Sequence, residues 1–294
     1  MTETATDSVT IKTRYLVRNP KAGDGEFPAE LFDGFVTVEP ADISSTLTSQ
    51  VLDSSVHVAV WGGDGTMRSV AQQLSGTGAV FIPCPGGSRN HFAHDAGIET
   101  TADILAALTS ATPTPVDVGD ADGTIFVNNA NVGWYVDLVE HRERLEKHLP
   151  RRFAKILAAA FGLVRSRTIE VTIDGKTERV WMVWIGNGEY SLSPTELTKR
   201  ESLKDAQLDV RVLRARGRFP KLSSAYALLA GHAENSPNTT RYLAPSVQLS
   251  FPGARQSGSV RAAFDGELVT LPSQFTVRCK QDALIIAKVD PPIA

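Results

Sequence analysis

Val58-Ala59-Val60-Trp61-Gly62-Gly63-Asp64-Gly65-Thr66 is the stretch on which the reading of this chain turns. An apolar run ends in three glycines around one aspartate, and a helical pattern (Met67, Val70, Leu74) follows and stops at Gly76. The order is strand, turn, helix. Glycines let another backbone or a ligand come close. Successive amide N–H groups ahead of a helix N-terminus form a concave anion site. The same pattern also serves a tight strand–helix connection in which Asp64 is a plain N-terminal cap. The absence of a Gly-Lys-Ser/Thr ending excludes the P-loop, and the spacing is not that of a dinucleotide fingerprint. A carboxylate beside phosphates is repulsive unless a cation lies between them. Asp64 therefore suggests a metal–nucleotide site more than a bare phosphate clamp.

Two further turns of this kind flank the first. Tyr15-Leu16-Val17 reads as a buried strand running into Arg18-Asn19-Pro20-Lys21-Ala22-Gly23-Asp24-Gly25. Pro20 fixes φ there and biases Asn19 to an extended conformation. Ala79–Pro83 reads as another strand, followed by Pro85-Gly86-Gly87-Ser88-Arg89-Asn90 and a short helix from His91. Phe35–Val38 adds a strand, Asp42 could cap a helix running to Leu52, and Thr100 or Thr101 caps a helix over Ala102–Leu108. Strands alternating with helices predict a parallel α/β layer over residues 13–115. Ligands bind such sheets at the carboxyl ends of the strands, where all three turns fall.

After Pro113-Thr114-Pro115 the pattern changes. Val116–Val118 with Thr124–Val127, and Ile169–Ile173 with Val180–Ile185, read as hairpins with glycine turns. Val247–Phe251, Val260–Phe264, Phe275–Arg278 and Leu284–Val289 add short strands, so residues 116–294 predict a β-rich, sandwich-like second domain. One amphipathic helix interrupts it, Arg151–Val164, which reads either as a helix packed on the sheet or as the lip of an apolar cleft for a lipid chain. Residues 1–12 read as a disordered tail.

A length of 294 residues suggests roughly two domains. With 42% hydrophobic and 21% charged residues the composition is that of a soluble globular protein, and a net charge of −3 gives no basic field for nucleic acid. Cys84 and Cys279 make neither a disulfide framework nor a metal-ligand spacing. Met1–Val9 lacks the basic start and apolar core of a secretory signal, and no apolar run reaches the roughly 18–20 residues that span a bilayer. These features fit a reducing cytoplasm, and any contact with lipid would be made from the water side.

Taken together and in order, the three turns resemble the diacylglycerol kinase catalytic family, whose superfamily holds sphingosine kinases, bacterial lipid kinases and, more distantly, NAD kinases. Asn19-Pro20 with Gly23 resembles its opening Asn-Pro-x-Ser-Gly turn, and Gly62-Gly63-Asp64-Gly65-Thr66 its signature. Pro85-x-Gly87-Ser88-x-Asn90-x-Phe92-Ala93 is similar to its third segment. Val116-Asp117-Val118-Gly119, Phe126-x-Asn128, Gly133 and Phe264-Asp265-Gly266-Glu267 extend the resemblance over about residues 13–289. It implies a nucleotide-binding α/β domain followed by a β-sandwich domain with the active site between them. It also implies ATP-dependent, Mg²⁺-dependent transfer of a γ-phosphoryl group to the hydroxyl of a lipid such as diacylglycerol. The partner implied is a lipid at a membrane surface, and a homodimer is the assembly left open.

Carried over residue by residue, Asn19, Thr37, the turn Gly62, Gly63, Asp64, Gly65, Thr66, Met67 and Arg68, and Ser88 and Asn90 would contact the nucleotide. Asp64 would hold Mg²⁺-bound phosphates through water, and Glu267 would be the general base. Asp265 matches a family aspartate and could equally be structural. A structural Mg²⁺ in some bacterial members resembles a site here at Asp205 with the carbonyls of Ser202 and Gln207. The departures are Arg68-Ser69 for Asn-Glu, His91 for an aspartate and Ala206 for a glycine. Arg68 either brings positive charge near phosphate or faces water. At position 206 a positive φ would now cost about 1 kcal/mol. The competing readings are an NAD kinase, which shares the Gly-Gly-Asp-Gly turn, and a non-catalytic nucleotide- or lipid-binding protein.

Overall fold

The computed structural model describes residues 11, 13–22, 26–48, 52–146, 168–191, 199–200, 202–215, 238–254 and 256–289. The expected tail (except Ile11), Gly23 of the opening turn and the helix expected over Arg151–Val164 lie outside the described residues. The chain divides into two compact units, Met1–Val116 with Asp282–Ala294, and Asp117–Gln281.

In the first unit, strands β1 (Thr13–Arg18), β2 (Val36–Val38), β3 (Val56–Gly62) and β4 (Val80–Pro85) form a parallel layer in the order β2-β1-β3-β4. Val58, Ala59, Val60, Phe81 and Ile82 are wholly buried. Strands covered on both faces read as such continuous apolar runs, which is why the pattern was visible in the sequence. Helices α1 (Ile43–Thr48), α2 (Asp64–Leu74), α3 (His91–Asp95) and α4 (Thr101–Thr109) connect the strands. The first starts at Ile43, directly after the expected cap position Asp42, which itself lies in a 3₁₀ turn over Pro40–Asp42; residues 49–51 of the expected helix lie outside the described residues. For α4, Thr100 is the cap. It accepts from the Asp103 amide while the Asp103 carboxylate accepts from the Thr100 amide, a reciprocal capping box.

The second unit is strand-rich. Thr112–Ala121 (β5), whose first residues belong to the first unit, pairs from Gly119 to Ala121 with Thr124–Phe126 (β6). Asn129–Gly133 (β7) leads into helix α5 (Trp134–Glu146), which buries Val136 and Val139 against Ala263. Ile169–Ile173 (β8) and Lys176–Asn187 (β9) form the hairpin expected around Asp174-Gly175, whose φ values are +46° and +84°. The long β9 also pairs antiparallel with β7 and with Leu208–Arg214 (β10), which in turn pairs with Thr239–Ala244 (β11). Ser246–Ser250 (β12), Ser259–Phe264 (β13) and Glu267–Pro272 (β14) complete the antiparallel set with the start of β15 (Gln274–Lys288). Its core gathers Phe126, Val183, Leu208, Leu249, Phe264 and Phe275.

One expectation is corrected here. Phe275–Arg278 and Leu284–Val289 are read from the pattern as two strands of the second domain, but they lie in one strand, β15. Its first part pairs with β12 in the second unit, and its last part runs parallel to β4 in the first, Ile285 opposite Val80 and Ile286 opposite Phe81. Leu284 and Ile286 are wholly buried there. The Gly76 amide donates to the Ala283 carbonyl, and the Val289 amide to Ala96. Local alternation identifies a strand but carries no information about its partner, and this partner lies some two hundred residues away.

Candidate functional site

The first unit brings its three turns together through backbone contact. A Cβ placed on Gly87 would stand 2.5 Å from the Gly63 Cα, and one on Gly86 would stand 2.7 Å from the Gly62 nitrogen. One on Gly62 would meet the Thr66 side chain at 2.8 Å. Gly86 and Gly87 are therefore required by close packing of turn on turn, and Gly62 by the Thr66 side chain of its own turn. Gly63 differs. Its φ of −87° suits any residue, and a Cβ there would have only Gly87 Cα, at 3.7 Å, within reach. The fold has no need of a glycine at 63, so its missing side chain leaves room on the open side of the turn.

Hydrogen bonds lock this arrangement. Asn19 donates through Nδ2 to Thr66 Oγ1 at 3.0 Å, and its amide donates to the Trp61 carbonyl at 3.0 Å. Asn90, buried and at φ +54°, accepts from the Gly87 amide (2.7 Å) and donates back to the Gly87 carbonyl (2.8 Å), closing the third turn. Asp64 opens α2, and its Oδ1 accepts from the Phe92 amide at 3.3 Å, tying the starts of two helices together. Asn19, Gly62–Thr66 and Asn90 thus form one constellation at the carboxyl ends of β1, β3 and β4.

The other expected residues fall in different places. Thr37 and Ser88 are exposed, and Arg68 is half-buried. Met67 turns inward: its side chain is wholly buried and its amide donates to the Gly63 carbonyl, so it serves packing. His91 is half-buried, and its pKa is lowered, chiefly by burial and further by Arg89, against the opposing pull of Asp64. The imidazole is therefore neutral at pH 7, and it adds neither a carboxylate nor a cation to the turn.

In the second unit, Asp265 (φ +50°) and Gly266 (φ +85°) make the turn between β13 and β14, and Glu267 is the exposed first residue of β14, opposite Phe264. The Asp265 carboxylate accepts from three consecutive amides, Val127 (2.9 Å), Asn128 (2.8 Å) and Asn129 (3.0 Å). Its own amide donates to the Asn129 carbonyl. Asp265 therefore fastens the hairpin tip to the segment after β6, while Glu267 is exposed. Residues not singled out from the sequence complete the support. The Tyr190 hydroxyl donates to the Asn128 carbonyl, and buried Arg200 donates to the Val127 and Asn187 carbonyls and to Asn128 Oδ1. The available signal was a polar residue inside an apolar run, as at Asn187.

The residues of the expected structural metal site also converge. Ala206 does adopt the left-handed conformation (φ +59°), and its amide donates to buried Asp117 at 2.8 Å. Asp205 accepts from the Glu189 amide (2.7 Å) and the Gln207 amide (3.1 Å), and the Gln207 carbonyl accepts from Gly188. A Cβ on Gly188 would meet the Ser202 carbonyl oxygen at 3.1 Å and Asp205 Oδ2 at 3.4 Å. A carboxylate and a carbonyl thus share one small space, an all-oxygen set suited to a hard cation that retains waters. Nearby, burial together with Asp117 and Asp205 pushes the Cys279 thiol up to about 12.

Among the described residues no three His, Cys, Asp or Glu side chains cluster as a metal site. A single aspartate at the glycine turn suits Mg²⁺ held mainly by substrate phosphates, its usual mode in phosphotransferases. Among the described residues no helix is long and apolar enough to cross a membrane.

Comparison with known proteins places the chain among related sequences and folds. Residues 15–121 match the family model of the diacylglycerol kinase catalytic domain. The protein named "Probable lipid kinase YegS-like" from Pseudomonas putida KT2440 is 27% identical over 206 residues, 66% of this chain and 68% of the relative. Its namesake from Pseudomonas aeruginosa PAO1 is 28% identical over 188 residues, 60% of this chain and 61% of the relative. The chain thus matches some three fifths to two thirds of the length of these relatives. A crystal structure named as a diacylglycerol kinase from Bacillus anthracis Sterne covers 96% of this chain, and the match covers 98% of that one, with a TM-score of 0.61 at 18% identity. Another Bacillus anthracis structure reaches a TM-score of 0.68 at 20% identity. Likeness at that identity establishes the fold alone, an N-terminal α/β domain with a strand-rich C-terminal region.

Proposed function

We propose that this chain, a member of the diacylglycerol kinase catalytic family through its residues 15–121, is an ATP-dependent lipid kinase. The observation that carries the reading is Gly63: its side-chain space is open although neither φ nor packing demands a glycine. A turn built so that something outside the fold can approach its backbone suits the phosphates of a nucleotide.

In this reading the amides of Gly62–Thr66, Asn19 and the Ser88–Asn90 turn hold and orient the triphosphate, with Thr37 toward the nucleoside. Asp64 would hold a metal at the phosphates, and Mg²⁺ bound there would supply neutralisation of the phosphate charge. Asp205 with the Ser202 and Gln207 carbonyls would hold a second, structural Mg²⁺. Glu267 accepts the proton of the lipid hydroxyl as that oxygen bonds to the γ-phosphorus. The bond from that phosphorus to the bridging oxygen breaks, and ADP leaves. Phosphoryl transfer asks little more of a protein than positioning, charge neutralisation and a base. The acceptor is a lipid alcohol reached at a membrane surface.

The test is a screen of labelled ATP against a total lipid extract, with wild type and Gly63→Val. The expected result is label in an organic-soluble product with wild type, and loss of ATP binding without loss of fold in the variant. Label in NAD, ATP binding without transfer, or unchanged ATP affinity in Gly63→Val would overturn the assignment.

A further inference from the structure

The end of β1 carries a side chain that the phosphate turn does not use. Arg18 is exposed, and its guanidinium lies over the Phe27 ring, 4.2 Å from the centroid. Among the described residues it has no carboxylate partner. Phe27 is braced from behind: Phe32 stacks on it at 5.4 Å with the planes 10° apart, and Trp61 meets it edge-on at 5.5 Å. Phe32 and Trp61 are buried, and Phe27 is half-buried.

This group is rooted beside the glycine turn on both strands. Arg18 pairs with Trp61 in the β1–β3 register, and Trp61 precedes Gly62. Asn19, the next residue after Arg18, is bonded to Thr66. Thr37, exposed on β2, pairs with Leu16 two residues before Arg18. A triphosphate on Gly62–Thr66 would therefore have its nucleoside directed along the carboxyl ends of β1 and β2, where Arg18 stands.

We propose that Arg18, backed by Phe27, is the stacking platform for the base of the bound nucleotide. This rests on the reading of the glycine turn as the nucleotide site. A guanidinium is planar, delocalised and weakly hydrated, so with one face on an aromatic ring its other face is suited to stack on a second flat π-system. Every base offers such a face, so a platform of this kind binds purines without reading their edges.

The experiment is calorimetric titration of the full chain with ATP, GTP and inorganic tripolyphosphate, each with Mg²⁺. Wild type is compared with Arg18→Lys, which keeps the charge and loses the plane, and with Arg18→Ala. Both substitutions should weaken ATP and GTP about tenfold, near the lower end of what one stacked base contributes. Arg18→Lys should leave tripolyphosphate within twofold of wild type. Wild-type ATP affinity in Arg18→Lys overturns the platform, whatever Arg18→Ala does, because charge alone would then account for the site. An equal loss for tripolyphosphate and ATP in Arg18→Lys overturns it too, making Arg18 a phosphate contact. Failure of wild type to bind either ATP or tripolyphosphate removes the nucleotide site itself. The comparison of Arg18→Lys with wild type for ATP decides by itself where tripolyphosphate binds too weakly to measure.

Discussion

Asp265 and Glu267 stand two residues apart, and separating them is the most informative experiment on this chain. Asp265→Ala removes the acceptor of three backbone N–H groups, the amides of Val127, Asn128 and Asn129. Hydrogen bonds to a charged group contribute about 1.5–3 kcal/mol each, but Asp265 is only half-buried and water can reach part of the gap. Discounting for that, roughly 1 kcal/mol per bond gives a loss of about 2–4 kcal/mol from the second unit. Glu267 is exposed, so Glu267→Gln should change stability by no more than about 0.5 kcal/mol. Its expected effect is on turnover, a fall in kcat of about 10²–10⁴-fold with ATP affinity nearly unchanged. The assay pairs lipid phosphorylation with urea unfolding followed by tryptophan fluorescence. Three of the four tryptophans, Trp134, Trp181 and Trp184, belong to the second unit, so the signal reports the unit that holds both residues. The reasoning fails if Asp265→Ala unfolds at the wild-type midpoint while losing activity, for Asp265 would then act in the chemistry. Wild-type turnover in Glu267→Gln would remove Glu267 from the mechanism, and loss of ATP binding there would make it a ligand of the nucleotide's metal.

Ala206→Gly should stabilise. Relief of the left-handed strain at φ +59° is worth about 1–2 kcal/mol, opposed by about 0.4–1 kcal/mol of added unfolded-chain entropy, for a net gain of about 0.5–1 kcal/mol in chemical denaturation. Acid should act through Glu178. Its ion pairs with Arg214 and Lys176 lower its pKa from 4.5 to about 2, so the pairs stabilise above pH 4.5 and that share is lost as pH falls toward 2. Glu178→Gln should flatten unfolding midpoints over that window; an unchanged slope would show that the pairing persists in the unfolded chain.

Much of the first unit was legible because its chemistry is local. A turn that must pack backbone on backbone needs glycine, as at Gly86 and Gly87, and the strands before it must be apolar on both faces. Gly63 was legible as a glycine but not as a different kind of glycine, since only coordinates separate a residue forced by packing from one left open. Asp265 and Glu267 share a type, and nothing in a sequence assigns one to three amides and the other to solvent. Helix α5 was missed because its buried contacts rest on two valines, Val136 and Val139, too few to make a helical apolar pattern stand out. Ala206 was read as an obstacle to a left-handed turn. The amide bonds to Asp117 and around Asp205 hold the turn in spite of it.

The return of β15 to the first unit sets an order of events during synthesis. β4 can pair with β3 as soon as both have left the ribosome, but its other edge waits for Ile285 and Ile286. Residues 117–281 are made in between, which at about 5–20 residues per second takes on the order of ten seconds. For that interval the nascent first unit presents an apolar, unpaired strand edge, the kind of surface that recruits other chains. Messages that slow translation between these points should therefore lower the yield of native protein, and a supplied peptide spanning residues 282–289 should rescue chains truncated before it.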